Sequence, residues 1–220
     1  MSAVAIIAKQ CRPGRVKTRL SPPFTPEQAA GLAEAALVDT LDTVAALPVE
    51  RRILYFAGDA PPRAASGFEL MAQPGGGLDE RLAHLFDVIE EPLLLLGMDT
   101  PQVRGDDVAA VFEGFGAAVG IGPASASLGH DAWLGPAADG GFWALAMGEP
   151  DGSLIRGVPM SRADTGRLQL ARLEASGRAV GLLGELADVD TAATAASVAL
   201  AAPDSRFARL HAEFTAGVQV

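Results

Sequence analysis

Four stretches of this 220-residue chain hold side chains whose types and spacing suit chemistry. The first is basic: Lys9, Arg12, Arg15, Lys17 and Arg19, five of the chain's 17 Lys and Arg residues, lie around the turn Pro13-Gly14. Turn amides and cations at the end of a buried strand can converge on a phosphate. The other reading of the same residues is a solvated basic loop. The pattern is not a Walker loop, because Val16 stands where that loop needs glycine before Lys17-Thr18. The second stretch is Asp99, which follows Leu93 to Leu96 and precedes Pro101. A carboxylate just beyond a dry strand suits Mg²⁺ or Mn²⁺ holding a diphosphate; it equally suits a cap on the next turn. The third is Asp139-Gly140-Gly141, strong turn chemistry beside Phe142 and Trp143. The fourth is Asp188-Val189-Asp190, two acids that either join Asp99 at a metal or cap the helix that follows.

The elements that must position these residues are readable from the apolar pattern. Ala3 to Ala8, Arg52 to Ala57, Phe68 to Met71, Leu93 to Leu96 and Val180 to Leu183 read as short strands, most of them buried on both faces. A hairpin is expected around Asp139-Gly140-Gly141. Thr25-Pro26 is a helix start, with the helix running to about Ala46. Further helices are expected over Leu78 to Ile89, Asp106 to Phe115 and Arg167 to Ala175; an alanine-rich helix follows Thr191, and the remaining chain to Val220 reads as helix with a loose end. Gly116 to Gly129 has no clear period and reads as irregular. Strands alternating with helices indicate a mostly parallel α/β sheet. Such sheets bind ligands beyond the carboxyl ends of their strands, where the basic loop, Asp99 and the two acids all fall.

Composition narrows the function. The net charge of −10 argues against nucleic acid as the partner, so the basic loop is a local feature of an acidic chain. The single Cys11 permits no intrachain disulfide, which fits a reducing cytoplasm. Its cationic neighbours could lower its pKa, though a bystander role is the plainer reading. No apolar run reaches the length of a membrane span or of a signal-peptide core. His84, His130 and His211 lack metal-ligand spacing.

Pro13 to Leu20, Gly97-Met98-Asp99-Thr100-Pro101, Gly135 to Phe142 and Asp188-Val189-Asp190-Thr191, in that order, resemble a bacterial family of nucleotide-diphospho-sugar transferase fold. Its members are often labelled arsenosugar-biosynthesis-type glycosyltransferases. The resemblance runs from Val4 to Ala196 and extends to glycosyltransferases of the A fold. It also extends to nucleotidyltransferases that make molybdopterin dinucleotides or guanylylate phospholactate. Cys11 stands where relatives commonly have proline, and the usual D-x-D is reduced to Asp99 alone.

The resemblance implies a single domain over residues 1–220, a three-layer α/β/α sandwich with a mixed, mostly parallel sheet. It implies nucleotide contacts from Ala8, Lys9, Arg12, Pro13, Gly14, Arg15, Lys17, Thr18, Arg19 and Gln73. A metal, Mg²⁺ or Mn²⁺, would lie at Asp99 with Asp188 or Asp190. The second substrate would meet Asp139, Gly140 and Gly141. Catalysis would rest on Lys17, Asp99 and Asp139. The expected activity is metal-dependent transfer from a nucleoside diphosphate sugar to a small acceptor. Nucleotidyl transfer and a non-catalytic nucleotide-binding domain are the alternatives. A cytoplasmic protein is expected, with a homodimer as one option and without nucleic acid or membrane as partner.

Overall fold

The computed structural model describes residues 2–118 and 129–216. Its elements are β1 (Ala3–Lys9), α1 (Pro26–Ala46), β2 (Arg51–Ala57), β3 (Glu69–Ala72), α2 (Leu78–Val88), β4 (Leu93–Gly97), α3 (Gly105–Ala118), β5 (Ala132–Pro136), β6 (Phe142–Met147), α4 (Thr165–Ala175), β7 (Val180–Leu182), α5 (Ala192–Ala201) and α6 (Arg206–Ala216). The seven strands form one sheet in the order β3-β2-β1-β4-β6-β5-β7. Only β6 runs against the others, so the sheet is mixed and mostly parallel. Of the stretch expected to be irregular, 119–128 lies outside the described residues, as do 217–220 at the expected loose end.

Alternation along each strand sorts side chains to two faces. Val4, Ile6, Leu94 and Leu96 pack with Leu37, Leu41 and Val44 of α1 and Val108 and Val111 of α3. Ala3, Ala5, Leu93 and Leu95 pack on the other face with Leu82, Leu85 and Phe86 of α2 and Leu173 of α4. Both faces are thus covered, giving three layers. Burying each leucine contributes roughly 1.5–3 kcal/mol, which is why four in a row specify a central strand.

The start of α1 is set locally. Thr25 Oγ1 accepts from the Gln28 N–H, and Gln28 Oε1 accepts from the Thr25 N–H, with Pro26 at the first helical position. The helical end of the chain is two helices, α5 and α6, separated at Ala202-Pro203 because proline supplies no N–H to continue a helix. Buried Asp39 of α1 then accepts from the Arg206 and Phe207 N–H groups and caps α6 across the fold. Their apolar sides, with Val189, Val198 and Phe207, close over α1.

Because β1, β4, β5 and β7 share one direction, their carboxyl ends emerge on one edge. The hairpin between β5 and β6 turns at that same edge.

Candidate active site

The basic loop leaves β1 at Lys9 and returns over the sheet edge. Gly14 takes positive φ (70°) at its turn, and Lys17 adopts the left-handed region itself (φ 44°, ψ 42°) before a short 3₁₀ turn over Thr18–Leu20. A non-glycine residue rarely sits there, and such strain concentrates at functional sites. The turn is held down by Val16 and Leu20, both buried.

That conformation sends the Lys17 side chain inward, with 13% of it exposed. Its Nζ donates to Asp99 Oδ2 at 2.5 Å and lies 3.9 Å from Asp190 Oδ1. Arg19 donates to the other oxygen of Asp190 at 2.6 Å. Burial pulls the Lys17 pKa down, but Asp99, by charge and hydrogen bond, then Asp190 and Asp188 outweigh it and hold the ammonium above the usual lysine range. Asp99 and Asp190 are fixed to one another through the backbone, since the Val189 N–H donates to the Asp99 carbonyl at 2.9 Å. Gln102 reinforces that junction by donating to the Ala187 carbonyl at 2.5 Å.

Two cavities meet at Asp99. The first, about 250 Å³, is basic and is lined by Lys9, Arg15, Lys17, Thr18 and Arg19, with Asp99, Asp190, Val16, Ala33 and Met98. The second, about 260 Å³, has an apolar floor of Ile7, Leu78, Leu82, Leu95, Phe142 and Met160 and an acidic rim of Asp99, Asp139 and Asp188. Its one basic residue, Arg162, is paired with Asp164 at 3.0 Å. Buried Val189 separates the two acids beside it: Asp190 faces the basic cavity and Asp188 the acidic one. Burial, then the charges of Asp99 and Asp139, push the Asp188 carboxyl up to about 6, against the opposing pull of a backbone hydrogen bond and Lys17.

The turn at Asp139 is built for close approach. Asp139 Oδ1 accepts from the Gly141 N–H at 2.8 Å. Gly140 has φ +89°, and a Cβ there would lie 2.0 Å from the Ala163 carbonyl oxygen. The Gly166 N–H at the start of α4 donates to the Gly140 carbonyl at 2.8 Å, and a Cβ on Gly166 would strike Gly141. Ala138 and Leu186 pair through the backbone, which carries the 188–190 segment to the hairpin.

Several expected residues stand elsewhere. Arg12 pairs with Asp59 at the surface, and Pro13, Gly14 and Ala8 line neither cavity. Gln73 is engaged within the protein: its Nε2 donates to the Ala8 and Tyr55 carbonyls, and its Oε1 accepts from Arg81. It ties the end of β1 to the segment after β3. Burial, then Glu34, push the Cys11 thiol up to about 12, together outweighing Lys9 and Lys17, so the neighbouring cations do not make it a thiolate. The wall of Met160, Ser161, Arg162 and Thr165 is a part of the site that sequence reasoning missed. Its one signal in the sequence is the polar run Arg162 to Gly166, just ahead of the helix expected from Arg167.

Asp99 already holds the Lys17 ammonium and Asp190 the Arg19 guanidinium, with Lys17 Nζ 3.9 Å away, so positive charge is what this point accepts. Among the described residues no three His, Cys, Asp or Glu side chains gather as ligands. Two protein carboxylates with the remaining positions filled by phosphate and water is the usual way Mg²⁺ is held, so the residues fit.

The model of the family DUF2064, described as "Uncharacterized protein conserved in bacteria", matches residues 40–162. The chain belongs to that family. The matched region includes Asp99 and the Asp139 turn but not the basic loop or Asp190. No curated protein matches the chain. Among solved structures, a nominal nucleotide-diphospho-sugar transferase from Desulfovibrio desulfuricans G20 is similar at TM-score 0.81 and 22% identity, covering 99% of this chain and 96% of that one. A CMP:2-keto-3-deoxy-manno-octonic acid synthetase, solved with CTP, is similar at TM-score 0.53 and 14% identity, covering 92% and 99%. A homologue of Mycobacterium tuberculosis Rv0371c from Mycobacterium sp. strain JC1 gives 0.51 and 18%, covering 94% and 98%. These likenesses show that this family member has the nucleotide-diphospho-sugar transferase type of fold.

Proposed function

We propose that the protein is a metal-dependent transferase acting on a nucleoside diphosphate sugar. One observation carries the reading: a basic cavity and an acidic, apolar-floored cavity open on either side of one carboxylate, Asp99. Lys9, Arg15, Lys17 and Arg19 bind the diphosphate. Asp99 and Asp190 would hold Mg²⁺ or Mn²⁺, which when bound supplies positive charge to a diphosphate leaving group. Lys17 and Arg19 stabilise the charge that grows on the phosphate oxygens as the bond breaks. Asp139 and Asp188 accept hydrogen bonds from hydroxyls in the second cavity and orient the acceptor.

The acidic rim favours a neutral hydroxyl acceptor over a phosphate or carboxylate, since three acids repel an anion and Arg162 is already paired. That supports glycosyl transfer above nucleotidyl transfer to an anionic acceptor. The basic loop keeps the nucleotidyl reading in play, because its cations suit a triphosphate. The similar fold solved with CTP is consistent with nucleotide use at this sheet edge. The test is thermal shift with a panel of nucleoside triphosphates and nucleotide sugars, with Mg²⁺ and with Mn²⁺. Stabilisation by nucleotide sugars is the expected result. Stabilisation by triphosphates alone would favour nucleotidyl transfer, and none at all would leave a silent domain.

A further inference from the structure

The Lys17 ammonium lies between Asp99 and Asp190, hydrogen-bonded to one oxygen of Asp99 at 2.5 Å and 3.9 Å from one oxygen of Asp190, whose other oxygen is paired with Arg19 at 2.6 Å. A divalent ion coordinated by the same oxygens would need to come within about 2.0–2.6 Å of them. Two cations cannot share that space. Lys17 also lines the basic cavity together with Lys9, Arg15, Thr18 and Arg19, so a second set of partners is in reach whenever an anion fills it. Its four-carbon stem and rotatable ammonium permit such a move without displacing the backbone.

We propose that Lys17 is the resident counter-ion of the Asp99–Asp190 pair and that it and a divalent cation exclude one another there. Phosphate entering the basic cavity draws the ammonium off the two carboxylates and opens them to the metal. Without phosphate the lysine, with Arg19 on the far oxygen of Asp190, keeps the acids neutralised and the cation out. Nucleotide and metal therefore bind as a linked pair, and each raises the affinity of the other by the same factor. This rests on the reading that the acid pair holds a divalent ion. No bond is made or broken; one cation replaces another.

The test is Mn²⁺ affinity of the nucleotide-free protein, read from the free-Mn²⁺ resonance signal. Lys17→Gln removes the competing charge and keeps a polar stem. It should bind Mn²⁺ about tenfold more tightly than the wild type, within the 5- to 150-fold range of typical coupling. Lys17→Arg, which keeps a cation, should stay near wild type. Adding Asp99→Asn to Lys17→Gln should abolish the gain. Circular dichroism checks that each variant is folded, and the Lys17→Arg comparison answers for any general loosening. Equal or weaker Mn²⁺ binding by folded Lys17→Gln overturns the proposal. UDP binding to the wild type with and without Mn²⁺ separates the two levels. Mn²⁺-dependent UDP binding beside an unimproved Lys17→Gln removes the counter-ion account alone. UDP binding that ignores Mn²⁺ removes the metal reading and this proposal with it.

Discussion

The cavities on either side of Asp99 are nearly equal in size and opposite in character. The basic one takes all its cations from the end of β1 and the loop that follows, against a wall of Ala33, Met98, Asp99 and Asp190. Its cations come from residues close in sequence, and its shape depends on one lysine in the left-handed region. The acidic one is assembled from α2, the β5–β6 hairpin, the residues before α4 and the segment after β7. Local chain geometry suffices to concentrate positive charge. Gathering like charges over an apolar floor requires the whole sheet edge. The difference shows in the electrostatics: Lys17 is held protonated by opposite charge, whereas Asp188 is pushed towards neutrality by burial and like charge.

The sharpest way to break this contrast is Gly140→Val. The residue needs positive φ, and its Cβ would collide with the Ala163 backbone. Removing that glycine should cost about 3 kcal/mol or more and disorder the acidic cavity, visible as a lowered denaturant midpoint. The basic cavity should still bind pyrophosphate at low temperature. An equally stable Gly140→Val protein would mean the turn imposes nothing.

Next is Arg19→Ala. Arg19 holds Asp190 from a largely exposed position. Its loss should weaken pyrophosphate binding about tenfold by calorimetry, the scale of one charge-assisted contact. Lys17→Ala should weaken it further, because Lys17 is buried and Arg19 is not.

A smaller effect separates the cavities by pH. Asp188 has a folded pKa near 6, above its unfolded value of 3.8. Between those values the folded chain holds the extra proton, so stability falls as pH rises through the window and levels off above it. Asp188 is partly exposed, which limits the effect to about 1 kcal/mol after screening. Asp188→Asn should therefore raise the Tm of the free protein by about 2–4 °C at pH 8 and leave it unchanged near pH 4. A rise that is the same at both would contradict the assignment.

Smallest of all is Arg12→Ala, which breaks only an exposed pair with Asp59. Stability should move by less than about 1 kcal/mol, and pyrophosphate affinity should hold, because Arg12 lines neither cavity.

Much of this architecture was legible beforehand because it is set over short distances. Four leucines before Asp99, the Thr25-Pro26 helix start and the hairpin at Asp139-Gly140-Gly141 each declare themselves within a few residues. The convergence of Lys17, Asp99 and Asp190 followed from parallel strands ending on one edge. What could not be read depends on partners distant in sequence. Asp39 looks like any helical acid until α6 arrives to be capped by it. Gln73 looks available until the Ala8 and Tyr55 carbonyls take its amide. The division of labour between Asp188 and Asp190 needs the buried position of Val189.

The central claim is that Asp99 joins the basic cavity to a divalent cation. Its most direct test is calorimetric titration of pyrophosphate into wild type and Asp99→Asn, with and without Mg²⁺. Wild type should bind about tenfold or more tightly with Mg²⁺, and Asp99→Asn should bind equally with and without it while keeping its fold. Undiminished Mg²⁺ dependence in folded Asp99→Asn would contradict the account.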